Sequence, residues 1–111
     1  MSETTRVFLL EPVKQDTQDA REFGEITYLF KYGEQRPSIF SIEYQDELEK
    51  RFIECEFDPE NDLFVLTGFQ IAISIAVAVL TKMFKNFEIL CFYVPTHSYT
   101  IISVGKVKER T

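Results

Sequence analysis

The apolar residues of this chain fall into short runs separated by polar punctuation. RVFLLEP (6–12) is a brief apolar run stopped by Pro12, the pattern of a buried strand. KQDTQDAREF (14–23) is polar; Asp16 or Thr17 is placed to cap one or two helical turns, and Gly24 to end them in a left-handed conformation. EITYLFKY (25–32) alternates, with Ile26, Tyr28, Phe30 and Tyr32 on one side and Thr27, Leu29 and Lys31 on the other, which predicts a strand partly covered on both faces. GEQRPS (33–38) is a loop. In SIEYQDELEKRFIECEF (41–57), Tyr44, Leu48, Phe52 and Cys55 recur at i, i+4, i+8 and i+11. That spacing predicts an amphipathic helix, capped by Ser38 or Ser41, with Glu43 in the favoured first turn and a solvated face of Asp46, Glu47, Glu49, Lys50 and Glu54. DPEND (58–62) is a turn, and LFVLT (63–67) has the continuous apolar pattern of a strand covered on both faces.

The next segment, GFQIAISIAVAVLTKMF (68–84), is the least polar and the most ambiguous. Bulky β-branched residues occupy every second position from Ile71 to Val79, as in a strand, but seventeen residues is long for a strand and alanine is a poor strand former. A membrane span over 63–81 has the length and no charge, yet Thr67, Gly68, Gln70 and Ser74 dilute it, and the amphipathic elements elsewhere need this segment as their core. A buried helix over 69–84 resolves both objections. Gly68, Ala72 and Ala76 then form a small-residue groove that lets the helix approach a sheet closely. Each flanking Ile or Val contributes about 1.5–3 kcal/mol on full burial, more than the few tenths its β-branching costs in a helix.

Two further apolar runs follow, NFEILCFYVP (86–95) and SYTIISV (98–104), joined by a hairpin at Pro95–Ser98. Strand 63–67, helix 69–84 and strand 87–94 make a βαβ unit, for which a right-handed crossover is the rule. The expected architecture is α/β, bordering on α+β: one domain over residues 1–111, with a mixed five-stranded sheet in the chain order β-β-α-β-α-β-β.

Charge changes the picture of partners. The net charge is −6; residues 1–62 carry sixteen acids and seven bases, residues 63–111 two acids and five bases. An acidic half argues against nucleic acid and against an anionic membrane surface, both of which call for a Lys/Arg field. The basic KVKER (106–110) is short and reads as a solvated terminus. Cys55 and Cys91 are too few for a secreted disulfide framework, and MSETTRVFLL has no leader-like pattern, so a cytoplasmic, reducing setting is expected.

Candidate chemistry is sparse. The carboxyl ends of the βαβ strands would gather Thr67, Gly68 and Gln70 with Thr96, His97 and Ser98, a crevice where helix-terminal amides could hold a nucleotide or small anion. TGFQ, however, has one glycine where phosphate loops have several. His97 is the one histidine, and no strand–G-x-S-x-G turn accompanies it; its plain reading is a polar hairpin residue. DPENDLF lacks the glycine and distal glutamate of a calcium loop, and the cysteines and histidine lack zinc spacing, so neither metal nor cofactor is expected. The polar loops PVKQDTQDAREFG and KYGEQRPS offer a recognition surface, with Arg36 and Pro37 leading into Ile39 and Phe40, which either staple the following helix or form an exposed docking patch.

These features predict a small acidic non-enzymatic interaction protein that binds another macromolecule. It is expected to be a homodimer, formed through Ile71, Ile75, Val79 and Met83 of the apolar helix or through an edge strand. Viral and mobile-element accessory or inhibitor proteins, including acidic mimics of nucleic acid, take this form. The alternative is the nucleotide or small-anion binder using the Thr67–Gln70 and Thr96–Ser98 crevice.

Overall fold

The computed structural model describes residues 5–12 and 18–105. Five strands, β1 (Arg6–Leu9), β2 (Glu25–Tyr28), β3 (Leu63–Val65), β4 (Phe87–Tyr93) and β5 (Ser98–Val104), form one sheet in the order β2-β1-β3-β4-β5. The first four are mutually parallel and β5 returns antiparallel along β4, with Leu90 opposite Ile101. Helices α1 (Ile42–Glu54) and α2 (Gln70–Met83) link β2 to β3 and β3 to β4. The α/β architecture and its chain order are those read from the sequence.

Strand alternation builds two unequal layers. Phe8, Phe64 and Ile89 point to the helix side, where Tyr44, Leu48 and Phe52 of α1 and Ala72, Ala76, Val79 and Leu80 of α2 pack on them. Phe52 meets Phe57 and Phe64 edge-on at 5.4 and 6.0 Å. Val7, Leu9, Leu63, Val65 and Leu90 point to the opposite side, covered by Ala20 and Phe23 from a short 3₁₀ helix (Gln18–Glu22) and its exit. Tyr99 reaches back from β5 to this second layer, its ring 6.3 Å from Phe23.

The polar seam is set by one buried carboxylate. Asp62 is 1% exposed and accepts hydrogen bonds from the Arg6 backbone amide (3.2 Å), Arg6 Nη2 (2.8 Å) and the Asp58 amide (2.8 Å). Arg6 also donates to the carbonyls of Cys55 and Glu56 at 2.8 Å, so one side chain ties β1 to the end of α1 and the start of β3.

Local expectations hold in part. Gly68 turns the chain from β3 into α2 with φ +125°, a conformation L side chains rarely adopt. Gly24 is not the left-handed stop expected of it: a Cβ there would lie 2.4 Å from the Thr5 carbonyl oxygen, so its smallness serves a close backbone approach. The suggested caps Asp16 and Thr17 lie outside the described residues. Ser41 is the residue before α1, but its hydroxyl donates to the Ser38 carbonyl (2.7 Å) rather than capping a helix amide. The β2 alternation ends at Tyr28; Leu29 and Phe30 both turn into the helix-side core, and Tyr32 is 91% exposed. Ile39 packs on the core while Phe40 is exposed, so the two residues divide the staple and the patch between them.

The orientation of α2 alters the dimer expectation. Val79 lies in the core of its own chain, because Ala72, Ala76, Val79, Leu80 and Met83 fall at i, i+4, i+7, i+8 and i+11. Ile75 and Met83 are partly buried against the same core, and Ile71 is the large aliphatic of α2 left exposed. The outer side of α2 is mostly Gln70, Ser74, Ala78, Thr81 and Lys82, a surface that water covers adequately. Among the described residues no helix is long and apolar enough to cross a membrane.

Candidate functional site

The strand order creates a specific opening. After β1 the chain leaves toward the 3₁₀ side, and after β3 it leaves toward the helix side. Connections that part in this way open a crevice at the carboxyl ends of the two strands, where open α/β sheets bind ligands. A cavity of about 240 Å³ occupies that position, lined by Leu10 and Glu11 after β1, Gly68, Phe69 and Ala72 after β3, and Arg36, Ile39 and Tyr44 from the approach to α1. A shallower trough of about 440 Å³ adjoins it, sharing Glu11 and Arg36 and adding Pro12, Lys31, Tyr32, Gly33 and Glu34.

The Glu11–Arg36 ion pair stands between the two hollows. The Arg36 guanidinium also lies 5.6 Å from the centre of the Phe30 ring, which stacks on Tyr44 with centroids 5.8 Å apart. Arg51 approaches the same ring at 4.5 Å and bonds Glu34 (2.5 Å), Glu47 (2.8 Å) and the Leu29 carbonyl (2.7 Å). Hydrogen bonding from Arg51, then from the Lys31 amide, holds the Glu34 carboxyl down to about 2. Burial, reinforced by the charge of Glu11, pushes the Tyr44 hydroxyl up.

The crevice therefore has apolar walls and charge that is already paired. Among the described residues the lining cation is Arg36, which faces a carboxylate, so an anion entering here would meet Glu11 as well. Tyr44, with its pKa raised, stays protonated and supplies no base at neutral pH. Three aromatic side chains, Tyr32, Phe40 and Phe69, stand exposed on this side of the molecule, on the segments that line the hollows or adjoin them.

The predicted crevice residues are divided by the fold. Gly68 lines the cavity, with Thr67 and Gln70 on either side of the Gly68–Phe69 turn. Thr96, His97 and Ser98 sit at the tip of the β4–β5 hairpin and do not line the cavity. There Thr96 and Ser98 share a 2.7 Å hydrogen bond, and the His97 ring lies 6.3 Å from Phe92. β4 runs three residues beyond the register with β3, which ends at Val65 opposite Leu90, and this carries the hairpin tip past the crevice. Glu11, Ile39 and Tyr44 were absent from the expected crevice. In the sequence Arg36 and Ile39 belong to a polar loop and its exit; only the placement of β1 beside β3 brings them to the site.

A family model for the phage Pam3 gp32-like protein matches residues 9–105, nearly the whole chain. The chain belongs to that family. The match spans every strand and helix from the end of β1 to the end of β5, including all residues lining the crevice. No curated protein and no solved structure matches the chain.

Proposed function

We propose that this phage-family chain is a non-enzymatic interaction protein that captures a protein partner at the carboxyl edge of its sheet. The observation behind this reading is the coincidence of three things at one edge: an apolar-walled crevice, a neutralising Glu11–Arg36 pair, and exposed aromatic side chains. Exposed large aromatics beside a concave surface are the usual anchors of protein interfaces. The occupant suited to the crevice is an apolar side chain of the partner, with a polar flank meeting the trough around Glu34 and Lys31. In this reading the protein works in the cytoplasm of the infected cell, where Cys55 and Cys91, both free, stay reduced.

The nucleotide or anion alternative has weaker support, because among the described residues the lining cation, Arg36, is paired with Glu11. The deciding experiment is affinity capture from phage-infected cells with the wild type and with Phe69→Asp. A protein retained by the wild type and lost with Phe69→Asp is the expected result. Equal retention by both would refute the carboxyl edge as the binding surface. A thermal shift with nucleotide triphosphates that Arg36→Gln abolishes would establish the alternative instead.

A further inference from the structure

Tyr44 is 2% exposed, and its hydroxyl makes no hydrogen bond among the described residues. Asp62, buried as deeply, is met by Arg6 and the Asp58 amide. A tyrosine oxygen buried this far ordinarily finds a partner. The charges that act on the Tyr44 hydroxyl are those of Glu11 and Arg36, which line the crevice with it, so its oxygen sits at the cavity end of the ring. Among the described residues no sealed side-chain oxygen or nitrogen lacks a partner, so this hydroxyl keeps its contact with solvent, and the cavity supplies it. More donors stand at the same mouth. α2 begins without a side-chain cap, and Gly68, Phe69 and Ala72 at its start line the cavity. The leading amides of a helix have no acceptor within it. Facing these donors, the acidic side chain of the described lining is Glu11.

We propose that the crevice is a phenol subsite, filled by the side chain of an exposed tyrosine on the protein partner. This rests on the carboxyl edge being the surface that captures a protein, and adds which side chain enters it. The apolar walls, among them Leu10, Ile39 and Phe69, call for an apolar body. The Tyr44 hydroxyl calls for an acceptor, which the side chains of leucine and phenylalanine lack. A carboxylate would face Glu11, and an ammonium or guanidinium would face Arg36. A primary amide has the acceptor but brings two N–H donors; Glu11 takes one and the other is left against an apolar wall, unpaired. A phenol carries one O–H and free lone pairs, so it accepts from Tyr44 and donates to Glu11 with nothing left over. An apolar cavity of ~150 Å³ already admits benzene, so about 240 Å³ has room for the ring and its oxygen.

The test is an NMR titration of the purified chain with p-cresol, which is the tyrosine side chain by itself, and with toluene, the same body without the oxygen. p-Cresol at millimolar concentration should shift the amides of Gly68, Phe69 and Ala72. Tyr44→Phe, which removes one oxygen, should weaken p-cresol binding by about two- to tenfold, the worth of one hydrogen bond, and should not weaken toluene. Glu11→Ala, at a partly exposed position, should act in the same sense. Absence of p-cresol binding, shifts elsewhere than the crevice, p-cresol bound as tightly by Tyr44→Phe as by the wild type, or benzoate bound more tightly than p-cresol would each overturn the subsite. Capture of a protein that Phe69→Asp abolishes, with p-cresol indifferent to Tyr44→Phe, overturns the phenol and leaves the edge as the binding surface. The expected p-cresol behaviour, with capture indifferent to Phe69→Asp, overturns the partner's tyrosine as its source and points to a free phenolic compound.

Discussion

The two flanks of this sheet are held by different forces. On the β2 side, arginines bind the loops to the core: Arg6 to Asp62, Arg36 to Glu11, Arg51 to Glu34 and Glu47. On the β5 side, no ion pair is recorded among the described residues of β4, β5 and their hairpin, and apolar side chains stand in the open. The first flank spends its polar groups on holding itself together. The second leaves its apolar groups unspent, which is the condition for joining something else. Substitutions on the first flank are thus expected to show up in unfolding, and those on the second in association.

The largest effect on unfolding is expected at Asp62. Asp62→Ala leaves the Arg6 and Asp58 amides without their acceptor and an arginine without its carboxylate, and should lower stability by about 3 kcal/mol in a denaturant titration. A loss as small as that of an ordinary surface change would break the contrast between the flanks. A lesser loss is expected for Arg51→Leu, read as a drop in Tm smaller than that of Asp62→Ala.

The Arg51–Glu34 pair also carries a pH signature. The Glu34 carboxyl is lowered to about 2 in the folded chain, mainly by Arg51, below an unfolded value of about 4.3. Between those values the unfolded chain binds more protons, so this contribution is present above about pH 4–5 and is lost as pH falls toward 2. The Glu34 side chain is about one-third exposed, so solvent screening keeps the effect small. The Tm gap between wild type and Glu34→Gln should close on acidification and shrink in high salt; a gap that widens in acid would contradict the pairing.

Smaller still is the expected effect of Ile101→Lys on unfolding, within about 0.5 kcal/mol, as for other exposed positions. The least is expected from Glu25→Ile. Removing its charge unguards β2, but four residues make a poor template, so light scattering should record no new association. If Glu25→Ile does associate, strand length is not what guards this edge.

Much of this architecture was legible from local pattern. The α1 stripe of Tyr44, Leu48 and Phe52 follows from helical spacing, and Gly68 marks the turn into α2 because a short strand cannot run straight into a helix. What escaped was set by contacts distant in sequence. The alternation of bulky residues in 71–79 spreads them all round a helix, so nothing local says that Val79 faces inward and Ile71 outward. Strand order is invisible to periodicity. Once β1, rather than β4 alone, is known to flank β3, the opening moves from Thr96–Ser98 to Glu11, Arg36 and Tyr44.

Ala72 belongs both to the core and to the lining of the crevice, one turn before Ala76. Those two methyl groups act as a thin shim under α2, and the height of that shim decides how deep the crevice is. In a relative with leucine or isoleucine at either place, the start of the helix would ride higher, Phe69 would swing outward with it, and the hollow would widen at its mouth. The depth of the hollow is therefore set beneath the helix as much as around the rim.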